Sequence, residues 1–185
     1  MKVINIHQRE YSQPSTVILK ILDTLSSNID CLWPNEKWPP MILNNGLKID
    51  SIGGHGPIGY YISDYTVGKI IEFTFTRPKE YIGTHKFEII ETSANTTLLR
   101  HTIDMSLNSK GVVTWYLAVK WLHDALLEDC LDKVHNQINK SHIETSHNFW
   151  VKHIRKILKG KKLRLINHPP TNETVVQISH AETCI

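Results

Sequence analysis

The sequence contains no uninterrupted apolar run of about 18 residues, so no membrane-spanning helix is expected. Its first residues, Met1 to His7, lack the continuous apolar core of a secretory signal peptide. Cysteine is scarce: Cys31, Cys130 and Cys184 are too scattered for a disulfide framework or a cysteine-rich zinc site, and they fit a reducing cytoplasm. Cys184 lies one position from the end, the wrong place for a prenylation box. There is no G-x-S-x-G elbow and no cysteine–histidine pairing in sequence, which removes the usual nucleophile classes. Neither charge sign dominates residues 1–144, with 14 Lys/Arg against 16 Asp/Glu. Residues 145–172 instead carry seven Lys/Arg and no acid, so the net charge of +3 is a property of the tail. No nucleic-acid partner is expected. What remains, 41% hydrophobic and 21% charged over 185 residues, is ordinary for one globular domain with an appendage.

The longest proline-free amphipathic stretch runs from Ser109 to Asn139, about 45 Å if helical throughout. Around its middle sit His123, Asp124, Glu128 and Asp129. Ahead of it the chain begins with a loosely alternating strand over residues 3–11. A short helix follows, opened by Pro14 and striped by Val17, Ile18, Ile21, Leu22 and Leu25. Three prolines between Leu32 and Met41 exclude a long helix, and two Trp-Pro steps make a rigid connector. Its indoles either cap the core edge or, as Trp33 or Trp38, line a cavity mouth. A short strand is expected over 47–52. In Gly53-Gly54-His55-Gly56-Pro57 a strand, not a helix, follows the glycines, which argues for a strand bend rather than a phosphate loop.

The β-rich middle has a self-consistent register. Pairing residues 58–66 with 69–77 across Val67-Gly68 sets Tyr60 opposite Phe75 and Ile62 opposite Phe73 on one apolar face. Pairing 83–92 with 96–108 through an odd-length loop at Ser93-Ala94-Asn95 sets Phe87 opposite His101 and His85 opposite Ile103. The two imidazoles then become diagonal neighbours on the inward face. Beyond the long helix, residues 147–159 form a second helix stopped at Gly160. The rest is expected to be extended or disordered.

A run of adjacent strands cannot bury its concave face alone, and the 109–139 helix is the apolar element long enough to cover it. The fold class is therefore α+β: a curved antiparallel sheet wrapped around one long helix over residues 1–140, plus a basic extension over 141–185. Leu32-Trp33-Pro34, Gly53-Gly54-His55-Gly56-Pro57-Ile58, Gly83-Thr84-His85-Lys86-Phe87-Glu88 and His123-Asp124-Ala125-Leu126 carry a resemblance. They look like the START-like, helix-grip superfamily (SRPBCC), which includes pollen-allergen-like proteins, lipid-transfer domains and polyketide cyclases. A bacterial branch of it is labelled polyketide cyclase-like without a defined reaction. The resemblance implies a deep cavity between sheet and helix for a hydrophobic small molecule.

Three functions from different classes are open at this point. The first is binding of a hydrophobic or aromatic molecule by Tyr60, Phe73, Phe75, Phe87, Ile103, His85 and His101 from the sheet. Trp121, His123 and Glu128 would join from the helix, and Trp33 and His55 from the mouth. The second is cyclase or dehydratase chemistry without a covalent intermediate, with His101 or His85 as acid or base and Asp124 fixing the tautomer. The third is contact with an anionic membrane or partner protein through 145–164. Each polar candidate also has a plain structural role: Asp124 and Glu128 with Lys120 and Asp132 as a solvated stripe, His85 and His101 as bonded core histidines. No metal and no cofactor are expected, since the histidine spacing matches no ligand motif. The expected state is a monomer or dimer.

Overall fold

The computed structural model describes residues 1–166, and side-chain surroundings as far as residue 158; expectations for 167–185 lie outside the described residues. Seven antiparallel strands form one curved sheet. In chain order they are β1 (Lys2–Tyr11), β2 (Ile42–Leu43), β3 (Ile52–His55), β4 (Ile58–Thr66), β5 (Ile70–Arg77), β6 (Tyr81–Ser93) and β7 (Thr96–Leu107). The first strand lies beside the last, giving the spatial order β1-β7-β6-β5-β4-β3-β2. Helix α1 (Ser15–Leu22) buries Ile18, Ile21 and Leu22. The long helix crosses the concave face as α2 (Ser109–Thr114), a π-helical stretch (Trp115–Val119) and α3 (Lys120–Asn139). The Asn108 side chain starts it by accepting from the Gly111 amide at 2.9 Å. The helix-grip architecture expected from the sequence is the one observed.

The strand registers hold in detail. Tyr60 faces Phe75 and Ile62 faces Phe73; Phe87 faces His101 and His85 faces Ile103. The parity that required an odd loop between β6 and β7 is met differently. Ser93 pairs with Thr96, and an irregularity between Glu91 and Ser93 supplies the extra residue. A strand over 47–52 does not form; the sheet edge is made by Ile42–Leu43 pairing with Gly54 and Gly53 instead. Gly53 permits that pairing, because a Cβ there would collide with the Ile42 carbonyl. Cys130 is buried and free.

β1 explains its own weak pattern. Ile4 and Ile6 point outward, 61% and 52% exposed, while Asn5, His7 and Arg9 point toward the helix. They meet α3 in order. Asn5 Nδ2 donates to Asp124 Oδ1 at 3.0 Å, and His7 bonds Asp124 Oδ1 at 3.0 Å and Glu128 Oε1 at 2.9 Å. Arg9 donates to Glu128 Oε2 at 3.0 Å and Asp132 Oδ1 at 2.6 Å, and the Tyr11 hydroxyl donates to the Leu131 carbonyl at 3.0 Å. The spacing matches because two strand residues advance about 6.8 Å and four helix residues about 6 Å. The stripe of Asp124, Glu128 and Asp132 is therefore not a solvated face.

Helix α4 (Phe149–Ile166) runs through Gly160 rather than stopping there, so residues 161–166 are helical and not extended. Val151 is buried, Trp150 Nε1 donates to the Leu117 carbonyl at 2.8 Å, and the Arg155 guanidinium lies 4.3 Å from the centre of the Trp38 ring.

Two stability outcomes follow from these contacts. Burial alone would raise the Asp132 carboxyl, but Arg9 and the Thr145 amide outweigh it and hold it below the ordinary carboxylate range. A depressed carboxylate contributes stability above its unfolded pKa of about 3.9 and loses it as pH falls through the folded value. Asp132→Asn should cost about 1–3 kcal/mol in urea unfolding at pH 7, a gap that closes on acidification below the ordinary carboxylate range; a gap independent of pH contradicts this. Asp30, buried in the connector, accepts from the Ser26, Leu32 and Trp33 amides at 2.7, 3.0 and 2.7 Å. Asp30→Ala strands three donors and should cost about 2–4 kcal/mol by the same measurement; an unchanged midpoint would show that the cap is dispensable.

Candidate functional site

Between the sheet and the long helix lies a cavity of about 200 Å³. From the sheet it is lined by Ile58, Phe75, His85, His101 and Ile103, and from the helix by Trp115, Val119, Leu122, His123, Leu126 and Leu127. Trp33, Trp38 and Pro39 of the connector, His55, Gly56 and Pro57 at the β3–β4 turn, Tyr81 of β6 and Leu158 of α4 complete the wall, which is mostly carbon. The π-helical stretch shapes one end. Trp115 and Val119, four residues apart, lie on the cavity side, and Tyr116 and Leu117 are exposed; two indoles take the outer carbonyls, Trp121 Nε1 donating to Tyr116 at 2.9 Å and Trp150 Nε1 to Leu117 at 2.8 Å.

The sheet brings two predicted imidazoles into contact. His85 Nδ1 lies 3.2 Å from His101 Nε2, so one ring donates and the other accepts. His85 is packed among rings, with Phe73 stacked on it at 4.7 Å and Tyr60 edge-on at 4.8 Å between centroids. The second nitrogens, His85 Nε2 and His101 Nδ1, are buried without a partner. Burial pushes both rings well below the ordinary imidazole pKa, and neighbouring imidazoles push the same way. His55 is lowered to about 3 by burial, and its Nδ1 bonds the Tyr60 hydroxyl at 3.1 Å. The cavity wall is thus lined by uncharged imidazole.

The other sequence candidates divide by position. Trp33, His55, Phe75, His85, His101, Ile103 and His123 reach the cavity. Tyr60, Phe73 and Phe87 do not line it; they are fully buried in the core behind His85 and His101. Trp121 sits on the outer face of the helix, held by the Tyr116 carbonyl. Glu128 and Asp124 turn toward β1, and Asp124 binds Asn5, His7 and Lys120 rather than His85 or His101. His123 stands between the two environments, its ring 5.1 Å from that of His101 and its Nδ1 4.0 Å from Asp124 Oδ1.

One group, His7, escaped sequence reasoning, and Asp129 was singled out in the helix cluster without its partners. His7 sits with its ring nitrogens between two carboxylates; burial would lower it, but the bonds to Asp124 and Glu128 outweigh that and raise it. Its signal was available, since Asn5, His7 and Arg9 alternate at the same interval as the outward isoleucines. Asp129, buried on α3, accepts from Trp38 Nε1 at 2.7 Å and Lys37 at 3.1 Å and bonds His147 at 3.0 Å. It pins the connector and the segment before α4 onto the helix, and nothing in local sequence announces those long-range partners.

No family model matches the chain, and no curated protein matches it. Solved structures do. A Thermobifida fusca protein aligns with TM-score 0.59 at 8% identity over 78% of this chain and 99% of its own. A conserved protein of unknown function from Enterococcus faecalis aligns with TM-score 0.56 at 13% identity over 86% of each chain. Norcoclaurine synthase from Thalictrum flavum, solved with dopamine and hydroxybenzaldehyde, aligns with TM-score 0.58 at 8% identity over 78% of this chain and 90% of its own. At such identities the likeness is one of fold. The chain has a helix-grip fold, a curved antiparallel sheet closed by one long helix.

Proposed function

We propose that the chain binds a small, uncharged aromatic or similarly apolar molecule in the cavity between the sheet and the long helix. The observation that carries this reading is the cavity of about 200 Å³ with its largely apolar wall. Its size is selective: an apolar cavity of about 150 Å³ in another protein accommodates benzene, so one substituted ring fits and a long acyl chain does not. The burial-depressed imidazoles offer no charge to pair, which favours a neutral ligand. The aromatic molecules held by norcoclaurine synthase support an aromatic occupant for this fold.

The cyclase or dehydratase reading is less well supported. It asks for Asp124 beside His85 or His101, whereas Asp124 is engaged by Asn5, His7 and Lys120 on the far side of His123. The reading in which the basic helix meets an anionic surface competes with docking. Val151, Trp150 and Arg155 tie residues 149–158 to the domain, although Phe149 is 80% exposed.

Burying one ring on both sides is worth about 4–6 kcal/mol, a dissociation constant of roughly 40 µM to 1 mM. Titration with p-cresol or indole, followed by amide NMR, should give saturable shifts clustered on His85, Ile103, His123 and Leu126. Val119→Trp, which fills the cavity, should retain a dispersed spectrum and lose those shifts. Absence of saturation in the wild type, or identical shifts in the variant, refutes the reading. The ring nitrogens of His85 and His101 should also report neutral tautomers at pH 5.5, and an imidazolium signal from either would contradict the uncharged wall.

A further inference from the structure

The seam between β1 and α3 holds a cluster that the cavity reading does not use. His7, His123 and Asp124 each offer one ligand atom, and these three atoms lie within 4.8 Å of one another. His7 Nε2 is 3.0 Å and His123 Nδ1 4.0 Å from Asp124 Oδ1. A tetrahedral ion with bonds near 2.0–2.1 Å sets its ligands about 3.3 Å apart, so small ring rotations close the set. We infer that these three side chains form a binding site for a divalent transition-metal ion of the zinc, cobalt or iron(II) class.

Two features beyond proximity point to a ligand. His123 Nδ1 is buried and has no partner within hydrogen-bond distance: Asp124 Oδ1, 4.0 Å away, is close enough to act on it through charge but too far to accept a proper hydrogen bond. Asn5 Oδ1, on the amide whose Nδ2 donates to Asp124 Oδ1 at 3.0 Å, is likewise buried and unpartnered. A buried donor or acceptor left unpaired costs free energy, and an ion held by His7, His123 and Asp124 would satisfy His123 Nδ1, with Asn5 Oδ1 close by to accept from a water on the ion. The outer partners suit the role. With Nε2 on the ion, His7 keeps its proton on Nδ1, where Glu128 Oε1 accepts it at 2.9 Å. Arg9 Nη2 in turn holds Glu128 Oε2 at 3.0 Å. Such a carboxylate behind a ligating imidazole fixes its tautomer and orientation. Lys120, which caps Asp124 Oδ2 at 2.7 Å, is 36% exposed on a flexible stem and can withdraw its charge to water. Two imidazoles and one carboxylate suit these ions better than magnesium or calcium, which prefer oxygen ligands. His7 and Asp124 are 117 residues apart, so no spacing motif exists to reveal the set.

The site also touches the cavity. His123 belongs to both, and with Nδ1 on the ion its proton resides on Nε2, converting one wall residue into a fixed hydrogen-bond donor.

Cobalt(II) titration of the chelator-treated full chain tests this without reference to any activity. Expected are one cobalt ion per chain, visible d–d absorption, and paramagnetic broadening of amide signals centred on His7 and His123. Zinc should displace the cobalt. His7→Ala and Asp124→Asn should each abolish the bands, Glu128→Gln should weaken binding about 10–100-fold, and His153→Ala should change nothing. No saturable binding below about 100 µM overturns the inference. So does broadening centred elsewhere, an outcome read on the wild type alone and independent of whether a variant folds.

Discussion

Asn5, His7 and Arg9 on β1 meet Asp124, Glu128 and Asp132 on α3 one after another, and this polar ladder fixes how the long helix is rotated. Apolar packing alone is tolerant of rotation, since neighbouring Leu and Val side chains exchange at little cost. A ladder of charged hydrogen bonds is not tolerant: a turn of about 100° would leave half-buried carboxylates and an arginine unpaired, at a few kcal/mol for each broken pair. With the ladder in place, His123, Leu126 and Leu127 face the cavity, and Cys130, Leu131 and Val134 are buried in the core.

That rotation separates two chemical environments a few ångströms apart. On one side the imidazoles of His85 and His101 are stripped of water and kept neutral among Phe73, Phe75 and Tyr60. On the other, burial would raise the Asp124 carboxyl, but His123, His7, Lys120 and Asn5 more than offset it and hold it below the ordinary range. His123 is the partition. The geometry thus favours a dry pocket that holds a neutral molecule over an acid–base pair working directly on it.

The sheet interior was legible in the sequence because strand alternation is a local signal with a parity check. Pairing Tyr60 with Phe75 and Phe87 with His101 forced His85 and His101 together, and they lie in hydrogen-bond contact. The helix was legible in length but not in rotation. Its polar stripe looks like a solvent face, and only the inverted polarity of β1, with isoleucines outward, shows what it meets. Tyr60, Phe73 and Phe87 share a face with the cavity residues yet lie deeper, a difference of depth that periodicity does not encode. The anchoring of Asp129 by Trp38 and His147, and the run of α4 through Gly160, depend on contacts distant in sequence.

The central claim is an apolar hollow beneath the long helix, and a crystal soaked with 4-iodophenol or pressurised with xenon tests it most directly. The account predicts one strong anomalous peak bounded by His101, Ile103, Val119 and Leu126, with the helix backbone unmoved. A peak confined to the surface, or an interior filled by repacked side chains with no peak at all, would contradict it.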